Sequence, residues 1–178
     1  VPDLTPVFRA PMRARDDDPA PGTGADFGLG HGLVGIGDRL DSVPATIEDA
    51  ITMAMLRSGE KAGRMLRRFA SLPSGTFVWT RDGGDRYHLG RIAGPWRYDD
   101  SPAAREAGIH HVRATSWHAQ PFDEDHAPGA VVATFVRGGR NLQRIRDEGA
   151  EQETAQLWAA GSPSGSATSE IAAATRAP

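Results

Sequence analysis

The sequence predicts an α+β domain: a twisted, partly open β-barrel-like sheet flanked by helices. Three observations carry this prediction. A helical apolar repeat runs from Thr46 to about Leu72. Four strand-like runs follow it: TFVWT (76–80), RYHLGRIAG (86–94), HHVRATSW (110–117) and AVVATFVR (130–137). The resulting order is strand, Gly-rich strand, helix, four strands and a last helix, which is the pattern of a sheet with helices packed against it.

Each element has a local reason. Residues 1–26 read as irregular, with five Pro, the acid triplet Asp16–Asp18 and the run PAPGTG. Within them VFRAPM (7–12) suits an edge strand, where Pro is tolerated. FGLGHGLVGIG (27–37) reads as a Gly-rich strand or loop. Its Gly30, Gly32 and Gly35 spell G-x-G-x-x-G, but no helix opens directly after them and Pro44 intervenes. The stretch is therefore read as a flexible strand allowing close backbone approach, not as a dinucleotide loop.

Thr46 with Asp49 forms a helix N-cap pair. Ile47, Ile51, Ala54, Met55, Ala62, Met65, Leu66 and Phe69 then repeat at helical spacing, with Gly59 and Gly63 as points of kink or division. RDGGD (81–85) is a hairpin turn. Gly94-Pro95 turns the chain after its strand. NLQRIRDEGAEQETAQLW (141–158) forms the final helix. The domain thus spans 7–158, after an irregular segment 1–6. Residues 159–178 form a low-complexity tail.

Composition bounds the chemistry. A chain of 178 residues with 39% hydrophobic content holds one core, and 21 Gly with 13 Pro imply long loops. With no Cys there is no disulfide, no thiolate zinc site and no thiol nucleophile. No run approaches the ~18 apolar residues of a membrane span, and the first residues lack an apolar signal core. These features suit a cytoplasmic protein. The net charge of −3 argues against purely electrostatic nucleic-acid binding, yet the charges are segregated. Arg57, Lys61, Arg64 and Arg68 form one helical stripe, and Arg137, Arg140 and Arg144 form a second basic group. Both are candidate phosphate contacts, or else solvated faces.

The densest chemistry lies in HLGRIAGPWRYDD (88–100) and GIHHVRATSW (108–117). Alternation places Val112, Ala114 and Ser116 on one face, small enough for a core. His111, Arg113, Thr115 and Trp117 take the other. Trp79, Trp96 and Trp117 gather at one end of the sheet, with Tyr98 near them. Such a group is either core or a cage for a flat or methylated ligand. A base extruded from a duplex needs such walls, to replace lost stacking. Arg113 is then a base or phosphate donor, or a structural Arg paired with an acid. The backbone at Val34, Gly35 and Ile36 is a place where a base edge could approach.

Enzymatic readings fare worse. His110 and His111 point to opposite faces of a strand, so they do not ligate a metal together easily. His118, His126, Asp123 and Asp125 lie on a loop. A nuclease needs a metal-binding acid pair and usually a Lys, and the single Lys61 sits on a helix. No Gly-x-Ser-x-Gly elbow is present. The expectation is a non-catalytic binder with no cofactor and no metal.

The run GRIAGPWRYDD…GIHHVRATSWHAQPFDEDHAPGAV resembles the bacterial EVE/YTH-like branch of the PUA-like superfamily. Gly90, Ile92, Gly94, Pro95, Trp96 and Tyr98 match its first motif. His111, Arg113 and Trp117 match the second, with Thr115 where Val is usual, and the likeness covers roughly 7–146. Many relatives carry Tyr where Trp96 stands. The resemblance implies a partly open β-barrel with an aromatic pocket for a flipped, modified nucleobase. It extends to a stand-alone bacterial member that prefers 5-methylcytosine DNA. Such domains often precede a nuclease, so a separate nuclease is an expected partner. The function expected is thus a nucleoid-associated, DNA-binding reader of a modified base, 5-methylcytosine first, acting by base flipping into an aromatic cage. The alternatives are an RNA reader, distinguished by 2′-OH contacts, and a small-molecule or partner-binding module using the same pocket.

Overall fold

The computed structural model describes residues 4–14, 20–139 and 142–161. In chain order the elements are β1 (Val7–Arg9), α1 (Thr23–His31), β2 (Leu33–Ile36), α2 (Ile47–Ser58), α3 (Glu60–Ser71) and β3 (Phe77–Arg81). β4 (Tyr87–Tyr98), α4 (Pro102–Ala107), β5 (His111–Trp117), α5 (Gly129–Val136), β6 (Gln143–Arg144) and α6 (Glu148–Gly161) complete them. The six strands form one sheet in the order β2-β5-β4-β3-β1-β6. Only β1 and β3 pair in parallel; the other neighbours are antiparallel. The architecture is α+β, and β2 and β6 remain as edges, so the sheet is not closed into a barrel.

Alternation along β3 divides the core. Phe77 and Trp79 join Val7, Tyr87, Leu89, Val131 and Ile145 in one apolar cluster. Val78 joins Phe8, Val34, Phe69 and Ile92 in another. A third, smaller cluster of Leu40, Ala50, Ile51, Ala54 and Leu66 lies between α2 and α3.

Local signals explain several elements. The Thr46 hydroxyl accepts the Asp49 N–H at 3.1 Å and starts α2. Gly59, at φ 89°, ends α2 and begins α3, so the long helical repeat is two helices. The β3–β4 hairpin is turned by Asp82, whose carboxylate accepts the N–H groups of Gly84 and Arg86 at 2.8 and 3.0 Å.

Five expectations are corrected. Of the stretch 27–37, read as a Gly-rich strand or loop, Leu33–Ile36 is a strand but 27–31 belongs to helix α1: a side chain on Gly28 would meet the Met12 thioether at 2.7 Å, so the glycine seats the helix there. Gly30 lies inside α1 and Gly32 caps it, leaving Gly35 alone on a strand. Residues 129–136 are helical despite their β-branched content. Their buried Val131 and Thr134 are three apart, on one helical face, and Arg9 donates to the carbonyls of Thr134 and Gly138 at the helix end. Gly94-Pro95 does not turn the chain. β4 continues through it as a bulge, where Ile92 pairs with Thr115 and Trp96 with Arg113. The last helix begins at Glu148, after Asp147 accepts the Ala150 N–H at 2.8 Å. The chain before it pairs with β1, which places β1 inside the sheet and β6 at its edge.

Candidate ligand site

The three tryptophans do not assemble into a cage. Trp79 is fully buried in the cluster under α5 and α6, where its indole N–H donates to the Thr154 hydroxyl at 3.1 Å. Phe122 meets its ring edge-on at 5.4 Å. Trp117 packs on the other cluster, and its indole N–H is shared between the carbonyls of Gly28 and Leu33, both at 3.2 Å. It fastens the end of α1 and the start of β2 to β5. Trp79 and Trp117 are therefore packing residues, which corrects the expectation of a shared box.

Arg113 is also committed to the fold. It is 3% exposed, and its Nε donates to Gly94 O at 2.8 Å while Nη1 donates to Phe69 O and Leu72 O. One side chain thus satisfies the open carbonyls at the end of α3 and the carbonyl of the β4 bulge. Neither an acid partner nor a ligand is needed to explain it.

Trp96 and Tyr98 do converge, around His111. The Trp96 indole N–H donates to His111 Nδ1 at 3.2 Å, with the two rings inclined by only 23°. Tyr98 meets His111 edge-on at 5.4 Å and lies nearly parallel to His110 at 5.6 Å. Its hydroxyl accepts the Leu40 N–H at 2.9 Å. His110 in turn donates from Nδ1 to the Asp99 carbonyl at 2.8 Å.

Beside this group lies a cavity of about 110 Å³, lined by Arg13, Ile36, Asp38, Lys61, Met65 and His111 together with neighbouring apolar atoms. Of the three β2 positions expected near a ligand, Ile36 lines it. Val34 is core, and a side chain on Gly35 would strike Ile109 at 2.4 Å, so that glycine serves close strand packing. Leu142, just ahead of β6, lines the same cavity. The open sheet thus curls far enough to bring its two edges to one place, with α3 across the gap.

The cavity is electrostatically uneven. Arg13 and Lys61 are exposed at its rim, and Asp38 stands in its wall at φ 89°, uncommon for a residue with a side chain. His111 is 1% exposed. Burial, then the neighbouring His110 charge, pushes its pKa down to about 4, against the pull of the Asp38 backbone. The ring is therefore neutral at pH 7. Its Nε2 is buried without a well-formed hydrogen bond, and the Asp38 backbone is the group that favours its proton.

The basic residues divide. Lys61 borders the cavity. Arg57 pairs with Asp41, Arg64 with Glu60 at 3.3 Å, and Arg68 covers the Phe8 ring at 5.2 Å. These side chains are largely exposed, and such pairs are weak and easily exchanged. Arg137 is exposed, Arg144 pairs with Glu151 of α6 at 3.5 Å, and Arg140 lies outside the described residues. Among the described residues no group of three His, Asp or Glu is placed to hold a metal, and no helix is long and apolar enough to cross a membrane.

Sequence reading missed His111, Asp38, Arg13 and Leu142 as site residues. Only His111 left a signal: alternation set it on the face shared with Arg113 and Trp117. The cavity draws on six separated segments, which no local pattern reveals. No protein-family model, curated protein or solved structure matches this chain.

Proposed function

We propose that this chain is a non-catalytic, DNA-binding domain of the EVE/YTH-like, PUA-like kind. It takes a modified base, 5-methylcytosine first, into the cavity between β2, β5, α2 and α3. The observation that carries the reading is a small cavity walled by Ile36, Ala54, Met65, Leu66 and the buried His111 ring and rimmed by Lys61 and Arg13. Apolar walls with a few polar groups at the opening suit a flat, polar-edged ligand. Cations at the mouth suit the phosphates that such a base carries with it.

Size favours a single ring. A cavity of about 110 Å³ is near the roughly 150 Å³ that holds benzene in an engineered protein core. A pyrimidine is of that size; a purine is larger. Trp96 and Tyr98 support the walls of the cavity, in place of a cage of three tryptophans. The reading carries with it a nucleoid-associated location and a separate nuclease as partner.

The test is a gel-shift at two salt concentrations. It compares one duplex unmodified, carrying 5-methylcytosine and carrying N6-methyladenine, beside the matching RNA. The expected result is preference for the 5-methylcytosine duplex with a steep salt slope. Preference for RNA would replace DNA with RNA as the ligand. Equal or absent binding would refute base reading and leave the cavity to a small molecule.

A further inference from the structure

A second cavity, of about 180 Å³, opens beyond the end of β1, bordered by the β3–β4 hairpin and the end of α5. Three guanidinium groups line it, those of Arg9, Arg13 and Arg81, against the two carboxylates of Asp82 and Asp85. The carboxylates are largely engaged. Asp82 accepts the Gly84 and Arg86 N–H groups through one oxygen and meets Arg86 Nε and His88 Nε2 through the other, at 3.3 and 2.8 Å. Asp85 holds Arg81 Nη2 at 2.8 Å, but its side chain is 77% exposed, and such a pair is weak and readily exchanged. Arg9 donates to the Thr134 and Gly138 carbonyls, both at 2.6 Å, which offsets the negative end of α5. Burial, and then the nearby charge of Arg137, lowers the Arg9 pKa, so a fourth cation stands close to this end of the sheet.

Arg13 joins this cavity to the first. It lines both, is exposed, and carries no ion pair among the described residues. Its direction is set by Met12, which is buried at φ 49°, an uncommon angle for a residue with a side chain. The Met12 thioether is seated where Gly28 leaves room, so the chain turns there and Arg13 stands out between the two cavities. A planar guanidinium matches the paired oxygens of a phosphate. We propose that the second cavity binds a phosphate group, with Arg13 and Arg81 as its donors. Its source, resting on the base-binding reading above, is the DNA backbone beside the base held in the first cavity, with Arg13 shared between the two. About 180 Å³ leaves room for that group and for several waters, each taking about 30 Å³.

Two measurements on the full chain test this. Proton–nitrogen NMR of the arginine Nε–H groups follows a titration with inorganic phosphate, against chloride at equal ionic strength. The Arg13 and Arg81 signals should shift and saturate. Asp85→Asn keeps a residue that tolerates the φ of 63° and removes a competing charge. It should tighten phosphate binding by roughly two- to fivefold, the scale of one exposed ion pair. A purely structural Arg81–Asp85 pair predicts no tightening. The second measurement is fluorescence anisotropy with the 5-methylcytosine duplex across salt concentrations. Arg81→Gln should flatten the slope of log K against log salt by about 0.9. Phosphate binding without this change would make a free phosphorylated molecule the source and overturn the backbone assignment. No phosphate-dependent shift overturns the site itself, even where the duplex still binds with base preference. Saturation that appears only when Asp16→Asn, Asp17→Asn and Asp18→Asn are combined overturns it as well, because the chain's own acids then stand in for the ligand. If the wild type binds phosphate but no duplex, the base-binding reading falls and the phosphate site stands.

Discussion

The indole of Trp117 occupies the space where a side chain on Gly90 would stand: a Cβ there would come within 2.6 Å of the ring. Glycine on β4 therefore lets the Trp117 ring lie across the sheet and reach the carbonyls of Gly28 in α1 and Leu33 in β2. Gly90→Ala should overpack this contact and lower stability by about 1–3 kcal/mol. Urea denaturation measures the loss. The base preference of the folded fraction should be unchanged, since neither residue lines the cavity.

Arg113 gives a second stability test. Arg113→Met leaves one buried and two half-buried carbonyls without their donor and should cost about 2–4 kcal/mol. Arg113→Lys should rescue little, because a point ammonium cannot match the planar fork. Full stability of the Lys variant would show that the guanidinium geometry is not what the fold uses.

Stability should also depend on pH through His111. Its folded pKa lies at about 4, below the ordinary 6.5 of the unfolded chain. Between those values the unfolded state binds a proton that the folded state does not. This contribution is fully present above pH 6.5 and is lost as pH falls toward 4. At about pH 4.5 the loss amounts to about 2–3 kcal/mol. Chemical denaturation of wild type and His111→Phe at about pH 7.5 and pH 4.5 isolates it, because other groups titrate equally in both chains. Parallel pH profiles would contradict a buried neutral imidazole.

The two tryptophans separate packing from recognition. Trp79→Phe removes the N–H given to Thr154 and should lower stability by about 1–2 kcal/mol, leaving the ratio of modified to unmodified affinity as in wild type. Trp96→Phe, which frees the His111 ring in the cavity wall, should lower the ratio of modified to unmodified affinity. A competition binding assay on both variants decides; identical ratios would remove Trp96 from the site.

Salt dependence probes the rim. If Lys61 meets a phosphate, Lys61→Ala should flatten the slope of log K against log salt by about 0.9 and weaken all duplexes alike. An unchanged slope would make Lys61 a solvated surface charge.

What the sequence revealed was what neighbours in the chain decide. Thr46 caps the N–H three residues on, and Asp82 folds the hairpin within five residues. The helical repeat from Ile47 to Phe69 needed only its own period, and its division at Gly59 followed from one torsion angle. What stayed hidden depended on distant partners. AVVATFVR has the composition of a strand, but Arg9, far earlier in the chain, closes it as a helix. FGLGH lies in a helix whose Gly28 leaves the space that Met12 fills. Trp79, Trp96 and Trp117 look alike in sequence, yet Thr154, His111 and the Gly28 carbonyl give each a different task. Arg113 looked like a ligand donor because nothing local shows that the end of α3 will lie beneath it.

Ile36 and Leu142 line one cavity, so any occupant would act as a fastener. β2 and β6 are not neighbours in the sheet, and β6 pairs with β1 through only two residues. A ring held there would join the early and late parts of the chain, where the sheet leaves a seam. Grip on a ligand and the stiffness of that seam would then be one mechanical property: loosening β6 would loosen the hold, and filling the cavity would slow the opening of β6.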